Sequence, residues 1–534
     1  MASFEDSPFA SHIGTNYVPT DTEVLQIHEF LQDPKKEKAK LDDEIAEIQS
    51  KLDALKAKSD AIVATVKAHE ALISPIRRYP DILQEIFVHC LPTDHDAVMS
   101  ASEAPLLLTR VCSDWRRLAL ATPSLWSSLF VTLPSPPLRP FDEDSGTERR
   151  RTERFFRRLK TIAVTAGEWL GRSGSCPLSI SMVADQMSDG NFENPFVDVL
   201  VPFSSRWKRL IMQVNDGPSI AKILQVAAAD TPMLQELVLN TGVFPSTPGF
   251  QPCVKWAQCG LVQAPRLQKL VFCNLTEDLS LFHLPWAQLT HISVDACRRS
   301  YTAALSPQKI FNIMEHAVCL VSAQFEVGNF DWPPPEASGA VDLTVHGNTP
   351  LVLPSLRHLS IHAGSDPSHL FQALRTPNLH EFGFFSTRLP GEGIPEVLSF
   401  ISRADHLTSF STDPRCFTAN EILDCLRLCS SVTCLKFGLG FVPHIFDRHS
   451  SFMPRGPPAL TDDDLMQHLT PSDDPNKTHL CPMLKEFRCT LKACFSEEAL
   501  MKFVTARQDL AMKEGSSKLE RVIVALHIFV RWTS

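Results

Sequence analysis

The chain has 534 residues, of which 44% are hydrophobic and 21% are charged, and its formal net charge is −10 at pH 7. This composition is typical of a globular protein, and the length allows roughly two to four domains or one small domain followed by a long repeat array. The mild acidic charge argues against a general nucleic-acid-binding protein, because such proteins carry a basic surface.

The first residues and the cysteines indicate the cellular compartment in which the protein is expected. Residues 1–6 are acidic at their end and lack the apolar core of a secretory signal, and no apolar run is long enough to cross a membrane. The fifteen cysteines are scattered within apolar stretches, as reduced core cysteines are in a chain without an export signal. We therefore expect a cytoplasmic and/or nuclear protein that does not act on a membrane.

Residues 1–34 are expected to be mostly disordered, because serine, proline and polar residues dominate their first half. The stretch Asp21–Leu31 predicts a short helix, and Asp33-Pro34 is expected to end it.

Residues 35–74 carry the heptad pattern of a coiled coil, because their seam positions alternate four and three residues apart. The seam residues are Leu41, Ile45, Ile48, Leu52, Leu55, Ser59, Ile62, Val66, His69 and Ile73. Two interpretations remain open. The helix either forms a homodimer with a second copy of the chain, or folds back on Asp21–Leu31 or on the domain that follows.

Residues 75–133 predict three short helices that pack on one another. Pro80, Pro105 and Pro123 each precede an apolar run, and proline is favoured in the first turn of a helix. The first run is expected to present Ile82, Leu83, Ile86, Phe87 and Cys90, the second Leu107, Val111, Trp115 and Leu118, and the third Trp126. Because such a small bundle buries only part of its apolar surface, we expect some of these residues to contact another chain.

This segment resembles an F-box. The likeness lies in Pro80-Asp81-Ile82-Leu83 followed by Ile86-Phe87, in Val111-Cys112 followed by Trp115-Arg116, and in Leu125-Trp126. Tyr79-Pro80-Asp81 departs from the family, which usually has Leu-Pro-x-Glu or Leu-Pro-x-Asp there. The resemblance implies a module that binds the Skp adaptor of a cullin ubiquitin ligase. The implied adaptor-binding residues are Pro80, Ile82, Leu83, Ile86, Phe87, Leu107, Val111 and Trp115. The alternative is a helical bundle whose apolar stripe is simply core.

Residues 134–146 predict an exposed linker, because prolines are followed there by acidic residues and glycine. The next stretch, 148–160, is strongly basic. Its apolar residues share one helical face, which favours an amphipathic helix with solvated arginines over a nucleic-acid or nuclear-import patch. The face consists of Phe155, Leu159, Ile162, Ala166 and Trp169 or Leu170.

Residues 147–534 are expected to form this helix and an irregular repeat array. Two apolar residues three positions apart, followed two positions later by a third, recur as in Leu234-Leu237-Leu239, Leu267-Leu270-Phe272 and Leu356-Leu359-Ile361. The repeats are mostly about 20 to 35 residues long, with helical patterns between them, which is typical of leucine-rich repeats. The pattern predicts a parallel sheet covered by helices. The alternative is an ordinary α/β domain.

One residue within each predicted strand is expected to point away from the helices and to face a target protein. These substrate-binding candidates are Val238, Val271, Ser293, Glu326, Ser360, Lys436 and Arg488, with Ile211, Gly383 and Ile523 at the equivalent positions. The alternative is that recognition lies on the loops.

The complete prediction is an α/β protein, with an N-terminal helical coiled coil and a three-helix F-box followed by an irregular leucine-rich-repeat-like α/β solenoid. We find no phosphate-binding loop, zinc-protease motif or paired Cys-x-x-Cys knuckle, so no catalytic residue, metal or cofactor is expected. The predicted function is a non-catalytic subunit of a ubiquitin ligase, which binds the Skp adaptor and cullin core through the F-box and an unknown target through the repeats. The alternative is a scaffold or regulatory module that acts outside a ubiquitin ligase.

Overall fold

A computed structural model describes most of the chain. The described residues are 7–73, 79–134, 145–184, 194–214, 220–240, 256–275, 277, 279–296, 305–328, 350–386, 394–438, 462–471, 479–489, 496–514 and 518–524. They belong to two compact units, residues 1–86 and 87–534, and each unit is described by itself.

The first unit is helical. Helix α1 spans Asp21–Phe30 and helix α2 spans Gln32–Ile73. The expectation that Asp33-Pro34 ends the first helix is wrong, because Pro34 lies in the first turn of α2. Proline is tolerated there, since the first N–H groups of a helix have no intrahelical acceptor. The seam residues of α2 with large apolar side chains from Leu41 to Val66 are exposed.

Helix α3 spans Pro80–His89 and begins at Pro80 as predicted, and the division between the two units falls within it, after Ile86. The predicted second helix is not continuous. Leu108–Arg110 form a 3-10 turn, Cys112 is extended with φ −157°, and helix α4 covers only Ser113–Leu120. The sulfur of Cys112 accepts a hydrogen bond from the Trp115 N–H at 3.4 Å. Local capping of this kind favours a helix start at Ser113, so Leu107 and Val111 lie outside the helix that carries Trp115.

The predicted third helix is a single 3-10 turn, Pro123–Trp126. It leads directly into strand β1, Ser128–Leu133, which is the first strand of the large sheet. The segment predicted as an F-box therefore contains a strand that pairs in register with the repeat array, from Ser128 opposite Ser179 to Leu133 opposite Ala184.

The second unit is built on a parallel sheet of 13 strands. After β1 the strands are β2 (Leu178–Ala184), β3 (Trp207–Val214), β4 (Glu236–Asn240), β5 (Lys269–Leu275), β6 (His291–Ala296), β7 (Ser322–Val327), β8 (Leu351–Val352), β9 (His358–Ala363), β10 (Leu374–Arg375), β11 (Glu381–Ser386), β12 (Ser409–Thr412), β13 (Cys434–Phe437), β14 (Glu486–Cys489) and β15 (Arg521–Val524). Strands β8 and β10 form a separate pair, and the others lie side by side in chain order. These strands follow one another across the sheet in the same order as along the chain, as they do in a solenoid of leucine-rich repeats. The alternative of an ordinary α/β domain is therefore wrong.

The helices of the second unit alternate with the strands. They are α5 (Ser145–Arg172), α6 (Pro195–Leu200), α7 (Ala221–Leu224), α8 (Pro307–His316), α9 (Ser368–Ala373), α10 (Pro395–Ile401), α11 (Ala419–Leu428), α12 (Asp462–Leu469) and α13 (Glu497–Glu514). Aromatic contacts show which face of the sheet they cover. The ring of Phe371 in α9 lies 5.8 Å from that of Phe382 in β11, and the ring of Phe503 in α13 lies 5.6 Å from that of Phe487 in β14. We call this face the helix side.

The apolar residues of the repeated pattern form the core on the helix side. Leu210, Leu237, Leu270, Leu359 and Phe382 occupy equivalent register positions and are buried, as the sequence pattern predicts. Most of the expected exposed linker at residues 134–146 lies outside the described residues, but Ser145 and Gly146 at its end belong to helix α5. Helix α12 begins with Asp462-Asp463-Asp464, and acidic residues are favourable at a helix N-terminus.

Candidate protein-interaction surfaces

Helix α3 divides its apolar residues between core and solvent. Leu83 is 6% exposed and Phe87 is fully buried, whereas Ile82 is 54% exposed and Ile86 is 38% exposed. The two groups lie on adjoining faces of the helix, because residues four apart share a face. The expectation that all four contact an adaptor is therefore wrong for Leu83 and Phe87, whose side chains are already buried. Pro80, at the start of the helix, is exposed.

The part of the predicted F-box in the second unit packs around two aromatic side chains. The ring of Phe87 lies 4.9 Å from that of Trp115, which is half-buried. Trp126 is buried and donates a hydrogen bond through Nε1 to the Ala119 carbonyl oxygen at 2.9 Å. Leu107 and Val111 remain exposed. Two of the three adaptor-binding candidates that lie between Leu107 and Trp115 are therefore largely accessible.

The second candidate surface is the face of the sheet opposite the helix side, which we call the opposite face. Strand register aligns the residues that occupy its central line, which we call the middle row. These are Phe130, Ser181, Ile211, Val238, Val271, Ser293, Gln324, Ser360, Gly383, Ser411, Lys436, Arg488 and Ile523. Glu326 does not belong to this row, because it pairs with His362 and Gln324 pairs with Ser360. The prediction of Glu326 was displaced by two residues.

The middle row changes character along the sheet. Ile211, Val238 and Val271 are at most 4% exposed and form an apolar cluster with Cys273. The expectation that Val238 and Val271 offer their side chains to a target is therefore wrong. Ser293, Ser360, Lys436 and Arg488 are only half-buried, so the accessible candidates lie in the later strands.

Glycine at position 383 fits the crowding between two neighbouring strands. A Cβ atom at Gly383 would lie 2.8 Å from Oγ of Ser360 on β9, which is closer than real Cβ contacts allow. The side-chain hydroxyl of Ser360 is buried and has no hydrogen-bond partner among the described residues. Strands β9 and β11 therefore approach closely at the middle of the opposite face.

A second row on the opposite face, two residues before the middle row, carries opposite charges on successive strands. Arg209 pairs with Glu236 at 3.3 Å, and Lys269 pairs with Glu236 at 2.8 Å. The buried carboxylate of Asp96 lies at the start of this row. It accepts hydrogen bonds from Ser128 at 3.0 Å, from Arg209 at 3.1 Å and from Ser181. These bonds tie the loop at Asp96 to the first three strands, because each partner belongs to a different one.

The charged row continues in the later strands with more exposed groups. Glu381 lies 3.9 Å from His358 and 3.7 Å from Lys436. Glu486 accepts a hydrogen bond from Arg488 at 2.7 Å and lies 3.8 Å from Arg521. The hydrogen bond from Arg488 lowers the pKa of Glu486 below its ordinary value. Charges of both signs are therefore accessible in the later strands, and they are suited to contacts with a polar surface of another protein.

The charged row was not among the features predicted from the sequence. A signal for it was present, because Arg209, Glu236 and Lys269 each precede the central apolar residue of a repeat, with alternating sign. Asp96 gave no such signal, because it lies outside the repeats and is brought to the sheet only by the tertiary fold.

The expectation that the cysteines are core residues is wrong for Cys90, Cys112 and Cys319, which are exposed. Cys425 and Cys429 are buried, and a hydrogen bond with Cys425 and burial raise the pKa of the Cys429 thiol. In the part of the chain that the structure describes, no group of three His, Cys, Asp or Glu residues could hold a metal ion. None of the described helices is both long and apolar enough to cross a membrane.

The sequence and the fold were compared with known proteins. No protein-family model matches the chain, and no curated protein matches it. Among solved structures, the chain is similar to one described as "Crystal structure of TLR13-ssRNA13 complex", with 14% identity, a TM-score of 0.26, and a match that spans 56% of this chain and 37% of that one. A TM-score this low carries no argument, so the solenoid assignment rests on the strand order itself.

Proposed function

We propose that the chain is the substrate-recruiting, non-catalytic subunit of a Skp–cullin–F-box ubiquitin ligase. In this proposal the segment from Pro80 to Trp126 binds the Skp adaptor, and the later strands of the sheet bind the target. The ligase then promotes ubiquitin transfer because it raises the effective concentration of the target near the ubiquitin carrier.

The observation that carries the proposal is the exposure of Ile82 and Ile86 on helix α3. Their neighbours Leu83 and Phe87 are buried, so one face of the helix is buried and the adjoining apolar face is exposed to solvent. Two isoleucines on one face of a short helix suit a helix-in-groove contact with another protein. The motif resemblance then names the Skp adaptor as the partner.

The target is proposed to bind the accessible part of the opposite face. Ser293, Lys436 and Arg488 lie in its middle row, and Glu381 adds a carboxylate beside Lys436. Because charges of both signs lie there, the surface favours a polar segment with complementary charges over an apolar one.

The test is a titration of the full chain with purified Skp adaptor by isothermal calorimetry. We expect Ile82→Asp combined with Ile86→Asp to weaken binding by at least about 100-fold, because two anchor side chains are replaced by charges. Since both isoleucines are exposed, the thermal unfolding midpoint should change little.

Gln84→Asp is the matched control. Gln84 lies on the other side of α3 from Ile82 and is half-buried, so this variant places one aspartate on the same helix away from the proposed contact. We expect it to retain wild-type affinity. A folded wild-type chain that does not bind the adaptor would refute the ligase proposal and favour a scaffold that acts outside a ubiquitin ligase.

A further inference from the structure

We infer that helix α2 associates with α2 of a second copy of this chain in an antiparallel coiled coil. The starting observation is a helix of 42 residues, Gln32–Ile73, whose apolar seam faces solvent. The exposed seam residues are Leu41, Ile45, Ile48, Leu52, Leu55, Ile62 and Val66. A single helix with such a seam gains no stability from tertiary packing. Helix α1, in the same unit, does not cover it, so the fold-back on Asp21–Leu31 is wrong.

The charges beside the seam identify the occupant as a second copy. The stretch 41–47 carries four acidic residues and no basic one. The stretch 51–58 has a net positive charge, because it contains Lys51, Lys56 and Lys58 and one acidic residue, Asp53. Within residues 41–58 the helix is therefore complementary to itself when the two copies run in opposite directions. Charges that flank the seam are the ones that determine partner choice and orientation in coiled coils.

The antiparallel arrangement pairs these flanking charges. When Ile45 packs against Leu55 of the partner subunit, Asp42 faces Lys56 of the partner subunit and Glu44 faces Lys58 of the partner subunit. Asp42 and Lys56 each directly follow a seam leucine, and Glu44 and Lys58 each directly precede a seam residue. Each of these two attractive pairs forms twice in the dimer, whereas Lys51 faces Lys51 of the partner subunit once, at the centre of the contact.

The parallel arrangement places like charges together instead. There, the residue before a seam position faces the residue five places later on the other helix. Lys51, which precedes the seam residue Leu52, would face Lys56 of the partner subunit, and this repulsive pair would form twice. Asp42 already accepts a hydrogen bond from Lys38 of its own helix, yet its side chain is 56% exposed, so it remains available to a second lysine.

Sedimentation equilibrium of the full chain tests the inference through the single change Lys56→Glu. In the antiparallel dimer this change turns both attractive pairs with Asp42 into repulsive ones, and we expect the dissociation constant to rise about tenfold. In a parallel dimer the same change would create an attraction to Lys51 and tighten association. A lower or an unchanged dissociation constant would therefore overturn the inference.

Two further samples exclude a simple loss of helix structure. Asp42→Lys alone should weaken association to a similar extent, and a one-to-one mixture with Lys56→Glu should restore wild-type affinity, because both pairs between positions 42 and 56 are then attractive in the mixed dimer. Lys67→Glu is the matched control, since Lys67 follows Val66 on the outer side of the seam and should leave the dissociation constant unchanged. A wild-type chain that remains monomeric at high concentration, or a mixture that fails to recover, would overturn the inference. The result does not depend on the Skp adaptor.

Discussion

Helices α2 and α5 follow similar amphipathic patterns but have opposite surroundings. Helix α5 buries Phe155, Leu159, Ala166, Trp169 and Leu170 within the second unit, while the comparable seam of α2 in the first unit is exposed. Both helices carry many charges on their other faces. The difference shows that an apolar stripe predicts a helix that needs a partner surface, but does not say whether its own chain supplies that surface.

The largest expected effect comes from Trp169 in α5. Its side chain is buried, donates a hydrogen bond through Nε1 to the Ser128 carbonyl oxygen at 3.1 Å, and lies 4.8 Å from the Trp126 ring. We expect Trp169→Ala to lower the free energy of unfolding by about 3 to 5 kcal/mol, measured as a shift in the urea midpoint by circular dichroism. Val164→Ala, on the exposed side of α5, should shift the midpoint little. Equal shifts of the urea midpoint for the two variants would contradict the observation that only one face of α5 is buried.

A matched leucine pair compares the two helices directly. Leu159→Ala in α5 removes a buried side chain and should cost about 2 to 5 kcal/mol. Leu55→Ala in α2 removes a side chain that is 65% exposed and should cost less than about 0.5 kcal/mol in dilute solution. Thermal unfolding at low protein concentration would measure both. A large loss for Leu55→Ala under these conditions would show that the chain itself covers the seam.

Hydrogen exchange would compare the local stability of α2 with that of α5. Amides of α2 are expected to exchange faster than those of α5 in dilute solution, because exposed helices open locally at lower free energy than buried ones. When the protein concentration rises, protection should increase in α2 and remain constant in α5. Protection in α2 that does not depend on concentration would contradict self-association through its seam.

The smallest expected effect concerns the start of α1. The Glu23 carboxylate accepts hydrogen bonds from the Thr20 N–H at 2.7 Å and from the Tyr17 hydroxyl at 2.9 Å, and the bond from Thr20 lowers the pKa of Glu23 below its ordinary value. Its contribution is therefore present above the ordinary pKa and is lost as the pH falls through the lowered pKa. Nuclear magnetic resonance of selectively labelled protein should show this change at residues 21–24. The change should be absent in Glu23→Gln.

Much of the repeat architecture follows from local pattern. Leu237, Leu270 and Leu359 lie in strands on the helix side as predicted, because an apolar residue at every second position must face a core. Strands β1 and β2 were missed, since neither falls in a recognised repeat. The second helix of the predicted F-box was also wrong, because the capping contact at Cys112 interrupts a periodicity that continues through it.

The candidate surfaces were less predictable than the core. Ile82 and Ile86 are exposed, but pattern alone could not separate them from the buried Leu83 and Phe87 on the adjoining face. On the sheet, alternation identified the positions of Val238 and Lys436 but not their exposure. The alternation of side chains along a strand predicts which face of the sheet a residue occupies. Whether that face is covered depends on segments that are distant in sequence.

The sequence by itself determined the heptad seam of α2, the start of α3 at Pro80 and the helix side of the parallel sheet. These features depend on residues that are close in the chain and on the geometry of helices and strands. Only the tertiary structure decided that Asp96 joins the first three strands, that Val238 and Val271 are buried, and that the α2 seam is left exposed. Each of these outcomes requires groups far apart in sequence to meet or to remain apart, and local periodicity carries no information about such distances.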